Sequence, residues 1–157
     1  LAQEPSLILL DEPTSALDVS VQAKIIGTLK KIQKEMNLSY LFITHDLSLM
    51  RNIADRVAIM YLGKIVEIGP VETLFKNPDH PYTQMLISSI PVVTLEEDKI
   101  KPKQIESKGE IPSPVDIPPG CGFQTRCPFV MDRCKKEEPK MIDISNEHKV
   151  KCFLLEK

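Results

Sequence analysis

Residues 7–18, LILLDEPTSALD, decide how the chain is read. Four apolar residues run directly into two adjacent carboxylates, Asp11 and Glu12, then into a proline and a short polar turn. A continuous apolar run this short is what a strand covered on both faces presents. Beyond it the period changes. Val21, Ile25, Leu29, Ile32 and Met36 recur at helical spacing, with Lys24, Lys30, Lys31 and Lys34 between them. Asp18 or Ser20 is placed to cap that helix and Asn37 to end it. Residues 40–43 form a second buried-type strand and residues 47–54 a second helix. Residues 56–61 and 64–68 read as a hairpin turning at Leu62-Gly63. Alternating strand and helix predicts an α/β fold with parallel pairing. In such sheets ligands sit beyond the carboxyl ends of the strands. Asp11 and Glu12 lie at one such end, and His45 lies at another.

The 157 residues suffice for one good core, or a small core with an appendage. A formal charge of −2 supplies no basic field, so nucleic acid is not an expected partner. The longest uninterrupted apolar run is six residues, 57–62, far short of a membrane span, so any membrane association is expected to go through a partner protein. Six of the thirteen prolines fall between Pro91 and Pro119, and all four cysteines follow them. Three regions are therefore expected: a periodic part over 1–90, a proline-rich connector over 91–120, and a cysteine-bearing extension over 121–157.

An isolated Asp-Glu pair at a strand end is most simply the start of a solvated loop. A phosphoryl-transfer site gives the pair separate tasks. One carboxylate helps hold Mg²⁺ and the other positions and deprotonates an attacking water. His45, in Thr44-His45-Asp46, is placed for a neutral imidazole to reach a phosphate oxygen.

LILLDEPTSALD resembles the Walker B strand and D-loop of an ABC-transporter ATPase, and LFITHD (residues 41–46) resembles its H-switch, in the same order and across the same intervening helix. The resemblance implies a P-loop NTPase-like parallel sheet with flanking helices. It implies ATP and Mg²⁺ as cofactors, Asp11 as the Mg²⁺-associated aspartate, Glu12 as the catalytic glutamate and His45 as the γ-phosphate switch. Ser15, Ala16, Leu17 and Asp18 match the D-loop, which in the family crosses to a partner ATPase subunit. No G-x-x-x-x-G-K-[ST] loop, Q-loop or LSGGQ-type signature is present. In the family all three precede the Walker B strand. A C-terminal half of such an ATPase is therefore expected, inactive by itself.

The segment over 61–91, with Gly69-Pro70, Asn77-Pro78 and His80-Pro81-Tyr82-Thr83, resembles the end of the ATPase domain in oligopeptide and dipeptide importers. Pro81 suits the first turn of a helix. GEIPSP, residues 109–114, is similar to the F-type subunit. Nickel importers and other members share the architecture. The resemblance implies a peripheral protein on the cytoplasmic membrane face, working with a second ATPase subunit, transmembrane permease subunits and, indirectly, an extracellular or periplasmic solute-binding protein.

Cys121, Cys127, Cys134 and Cys152 are spaced C-x5-C-x6-C-x17-C. Disulfides suit a secreted mini-domain rather than a cytoplasmic ATPase. Zinc takes four thiolates but its structural sites usually show tighter C-x2-4-C knuckles. A [4Fe–4S] cluster tolerates wider spacing. Gly120 and Gly122 flank Cys121, and Arg126 and Arg133 each precede a cysteine, where they are expected to favour thiolate. The residues point to a metal without choosing between these ions. CGFQTRCPFVMDRC followed by HKVKC resembles the C-terminal extension of peptide-importer ATPases, which implies [4Fe–4S] first and zinc second in a small irregular domain. His148 reads as a spare ligand or, more simply, a loop histidine. A competing expectation is a metal-binding regulatory or assembly module whose ATPase half is vestigial.

Overall fold

The computed structural model describes residues 4–91, 109–110, 112–113 and 115–156. Much of the proline-rich connector, including two residues of GEIPSP, lies outside them. The chain divides into two compact units, residues 1–49 and 50–157.

In the first unit, β1 (Leu7–Asp11) pairs in parallel with β2 (Ser39–Ile43), Leu7 opposite Ser39 and Asp11 opposite Ile43. Between them runs α1 (Val19–Met36). Its N-terminus is closed by Asp18, whose carboxylate accepts the Val21 N–H at 2.9 Å and the Ser20 hydroxyl at 2.6 Å. Those two contacts, the Ser20 hydroxyl first, hold the Asp18 carboxyl below its ordinary value. Asn37 ends the helix in the left-handed conformation that C-caps favour. The Tyr40 hydroxyl on β2 donates to the Leu29 carbonyl at 2.9 Å, fixing α1 beside the strand. The expectation of strands covered on both faces does not hold within this unit. Leu7, Leu9, Leu41 and Ile43 are exposed, because two strands and one helix leave one sheet face open.

After α2 (Leu47–Ile53), β3 (Arg56–Tyr61) and β4 (Lys64–Pro70) form the expected antiparallel hairpin. Leu62 (φ 45°) and Gly63 (φ 75°) supply the two positive φ angles that a tight primed turn requires. α3 (Val71–Lys76) and α4 (Pro81–Ser88) follow. At α4 the physical role of His80-Pro81-Tyr82 is plain. Pro81 occupies the first turn, and His80, 1% exposed, caps it by accepting the Tyr82 N–H on Nδ1 at 3.0 Å. Burial pushes this imidazole down to about 4, which keeps the accepting lone pair free.

The C-terminal residues are built into the same unit. α5 (Asp132–Lys136) is followed by two-residue strands, β5 (Ile142–Asp143) and β6 (Lys149–Val150). These extend the hairpin into a sheet of order β3-β4-β6-β5. Phe123, 2% exposed, packs against Tyr61 of β3 and Tyr82 of α4 at centroid distances of 5.3 and 5.4 Å. Burying such a ring contributes roughly 2–3 kcal/mol, so this aromatic cluster and the β4–β6 pairing hold the C-terminal segment on the hairpin.

Candidate functional site

Parallel register brings the two strand ends of the first unit together. The Glu12 N–H donates to the Ile43 carbonyl at 2.9 Å, continuing the ladder one step beyond β1. Glu12 then turns with φ 46°, a left-handed conformation costly for a non-glycine residue and common where a site stores strain. Its Oε1 lies 2.9 Å from His45 Nδ1, while its Oε2 is enclosed without a hydrogen-bond partner. The bond to Glu12, reinforced by its charge, raises the His45 pKa and favours the imidazolium. Asp11 stands exposed at the end of β1.

The turn after Glu12 is tied from within. The Ser15 hydroxyl donates to the Glu12 carbonyl at 3.1 Å, and Asp18 is engaged as the α1 cap. Gln22 on α1 donates to Thr14 Oγ1 at 3.3 Å and to Asp46 Oδ2 at 3.4 Å, linking the loops that follow the two strands. Asp46 in turn accepts the Leu49 N–H at 3.0 Å and caps α2. Thus Glu12 and His45 meet directly, Ser15 and Asp18 have local backbone tasks of their own, and Asp11 precedes Glu12 at the strand end.

In the second unit all four cysteines are free thiols and line one small pocket. Phe123, Phe129, Phe153 and Pro139 are among its other walls. The approach of two cysteines depends on Gly120. At φ 83° it lets the chain pass so close to α5 that a Cβ there would fall 2.3 Å from the Cys134 carbonyl, and the Cys121 N–H donates to that same carbonyl at 2.8 Å. Backbone N–H groups of Phe123, Phe129 and Leu154 point at the sulfurs of Cys121, Cys127 and Cys152. Burial nevertheless dominates, raising all three thiols, Cys152 to about 11. The expectation that Arg126 and Arg133 favour thiolate is corrected here. Arg133 stacks on Phe153 at 4.0 Å and pairs with Glu137 and Glu156, and Arg126 reaches the Met85 sulfur at 4.0 Å.

His148 is not among the cavity-lining residues. It is 3% exposed and its Nε2 meets Glu67 Oε1 at 2.8 Å. Glu67, Asp79 and His148 form the one group of three His, Cys, Asp or Glu ligand atoms within 4.8 Å of one another among the described residues. Glu67 escapes notice in the sequence because KIVEIG alternates like a half-solvated strand, and its partner is 81 positions away.

Residues 66–134 match the family described as "Oligopeptide/dipeptide transporter, C-terminal region". The chain is 49% identical over 154 residues to the oligopeptide transport ATP-binding protein AppF of Bacillus subtilis (strain 168), covering 98% of this chain and 46% of that protein. It is 46% identical over 153 residues to the oligopeptide transport ATP-binding protein OppF of Escherichia coli (strain K12), covering 98% and 45%. To AppD of B. subtilis, another oligopeptide transport ATP-binding protein, it is 44% identical over 156 residues, covering 99% and 46%. The chain thus spans a little under half the length of these relatives. Residues 66–134 thus carry the likeness to the oligopeptide/dipeptide transporter C-terminal region, and nearly the whole chain is similar to a little under half of these oligopeptide transport ATP-binding proteins.

Proposed function

We propose that the chain is the C-terminal part of the ATP-hydrolysing subunit of an ABC importer of oligopeptides or dipeptides, of the F type. The observation that carries the reading is the Glu12–His45 contact at 2.9 Å across two parallel strand ends. A general base needs a free acceptor, and Oε2 of Glu12 has no hydrogen-bond partner. In this reading Glu12 orients a water and takes its proton. Asp11, exposed beside it, supports Mg²⁺ through water. His45, held by Glu12 in the nucleotide-free chain, turns to an incoming γ-phosphate oxygen and releases the carboxylate for its task. Bound Mg·ATP supplies the phosphoryl group and the charge that draws His45 away. Ser15 and Asp18 belong to the turn that faces a second ATPase subunit. The open face of β1 and β2 suits cover by the portion that the longer relatives possess and this chain does not span.

The whole protein then works at the cytoplasmic side of the membrane as a peripheral subunit. It drives permease subunits fed by a solute-binding protein.

The four cysteines are proposed to hold a [4Fe–4S] cluster, with zinc second. The donor set supports an inorganic centre: four thiols around one cavity, with N–H groups aimed at three of the sulfurs.

The test is Glu12→Gln in the full-length protein. Turnover falls by at least about a hundredfold, while ATP remains bound in a stable dimer. Undiminished turnover overturns the general-base role.

A further inference from the structure

We infer that Gln22 is a positioning residue: it ties the turn after Glu12 to the turn that carries His45, and so sets the distance at which those two groups meet. The inference rests on the roles proposed above for Glu12 and His45, and it gives the pair a support on α1. The β1–β2 ladder ends with the Glu12 N–H on the Ile43 carbonyl at 2.9 Å. His45 lies two residues past that carbonyl, so strand pairing stops short of the place where the side chains meet. Gln22 supplies a tie beyond it. Its Nε2 donates to Thr14 Oγ1 at 3.3 Å and to Asp46 Oδ2 at 3.4 Å.

The chemistry of the partners fixes which end of the amide faces them. A carboxylate oxygen only accepts, so the NH2 group of Gln22 faces Asp46, and its two hydrogens suffice for both contacts. Each bond is long, and neither alone would hold a separation. The constraint comes from one nitrogen answering to both sides. Both partners are themselves held. Thr14 is 4% exposed, and its carbonyl accepts the Leu17 N–H at 3.1 Å. Asp46 receives the Leu49 N–H on Oδ1 at 3.0 Å, while its own N–H donates to Thr44 Oγ1 at 3.1 Å. The residues on either side of His45 are thereby fastened to one another, and Oδ2 is left for Gln22.

Gln22 is also held at its own backbone. It stands in the first turn of α1, and its N–H donates to the carbonyl of Asp18, the residue whose carboxylate caps the helix, at 2.8 Å. A shift of Thr14 relative to Asp46 therefore has to break one of the two side-chain bonds or move the head of α1. The lever is short, since Thr14 lies two residues after Glu12 and Asp46 directly follows His45. Proton abstraction is sensitive to such placement, because a displacement of about 1 Å costs roughly a hundredfold in rate. VSVQAK does not mark Gln22 in the sequence, because its partners are 8 and 24 positions away on separate loops.

The test compares ATP turnover and equilibrium ATP binding in the full-length protein, with Glu12→Gln as the control for the reading of the site. Gln22→Glu keeps the side-chain length but sets a carboxylate against that of Asp46. Turnover should fall at least about tenfold, with ATP binding within about twofold of wild type. Adding Asp46→Asn to Gln22→Glu reverses donor and acceptor: the asparagine amide donates to the introduced carboxylate, and its oxygen still takes the Leu49 N–H. This pair should recover most of the lost turnover. With Glu12→Gln inactive, three results each overturn the positioning role: wild-type turnover in Gln22→Glu, an equal loss of its ATP binding, or no recovery in the paired variant. Undiminished turnover in Glu12→Gln instead removes the reading on which the inference rests, and the inference with it.

Discussion

Glu12 and Glu67 show how differently two glutamates in one chain are used. Glu12 follows a strand, adopts a strained turn, and keeps one oxygen on His45 and one without a partner. Glu67 sits inside a strand with both oxygens saturated by donors. The first arrangement is poised for exchange of partners, the second for holding. The Glu12–His45 contact has a direct consequence in solution. Because Glu12 favours the imidazolium, His45 in the nucleotide-free chain should titrate above the ordinary histidine value, and Glu12→Gln should bring it back down. An NMR titration of the ring protons checks this; an identical midpoint in both proteins would mean that the contact is not formed in solution. The Glu12 site is legible in the sequence because its chemistry is local. Two acids end a strand, a histidine ends the next, and parallel register does the rest. Glu67 and Asp79 are not legible, since each gains its meaning from His148, which a two-residue strand brings into place.

At the scale of elements, capping residues carry much of the specification. Asp18 and Asn37 bound α1 as the sequence indicates, and Leu62-Gly63 makes the hairpin turn. His80 as a cap is less obvious, because histidine serves there only while neutral and buried. That requirement gives a pH dependence. The folded value of about 4 lies below the ordinary 6.5, so the unfolded chain binds the extra proton. Stability from this residue is complete above about pH 6.5 and is lost as pH falls toward 4. The loss between pH 7 and 5 is about 2 kcal/mol. His80→Asn keeps a capping acceptor that does not titrate. Urea denaturation at the two pH values should show that loss in the wild type and a distinctly smaller one in the variant; equal losses would remove His80 as its source. The strands β5 and β6 leave no periodic signal, because two residues cannot show alternation. Their place in the sheet comes from the pairing of β6 with β4 and of β5 with β6 instead.

At the scale of the molecule, the four-cysteine segment is continuous with the β3–β4 hairpin. Phe123 packs on Tyr61 and Tyr82, β6 pairs with β4, and Gly120 draws Cys121 against α5. Burial raises the thiols of Cys121, Cys127 and Cys152. With Cys152 at about 11, its thiolate is disfavoured, and in the proposed centre the metal would supply the opposing charge. The proposed union of an ATP-hydrolysing strand-end site and a four-thiolate centre in one subunit is tested most directly at its inorganic end. Full-length protein purified without oxygen is assayed for iron, acid-labile sulfide and zinc. Iron and sulfide in equal amounts, about four of each per chain, with broad visible absorption, are the predicted result. Protein free of iron, with zinc alone or with four freely alkylated thiols, would contradict it.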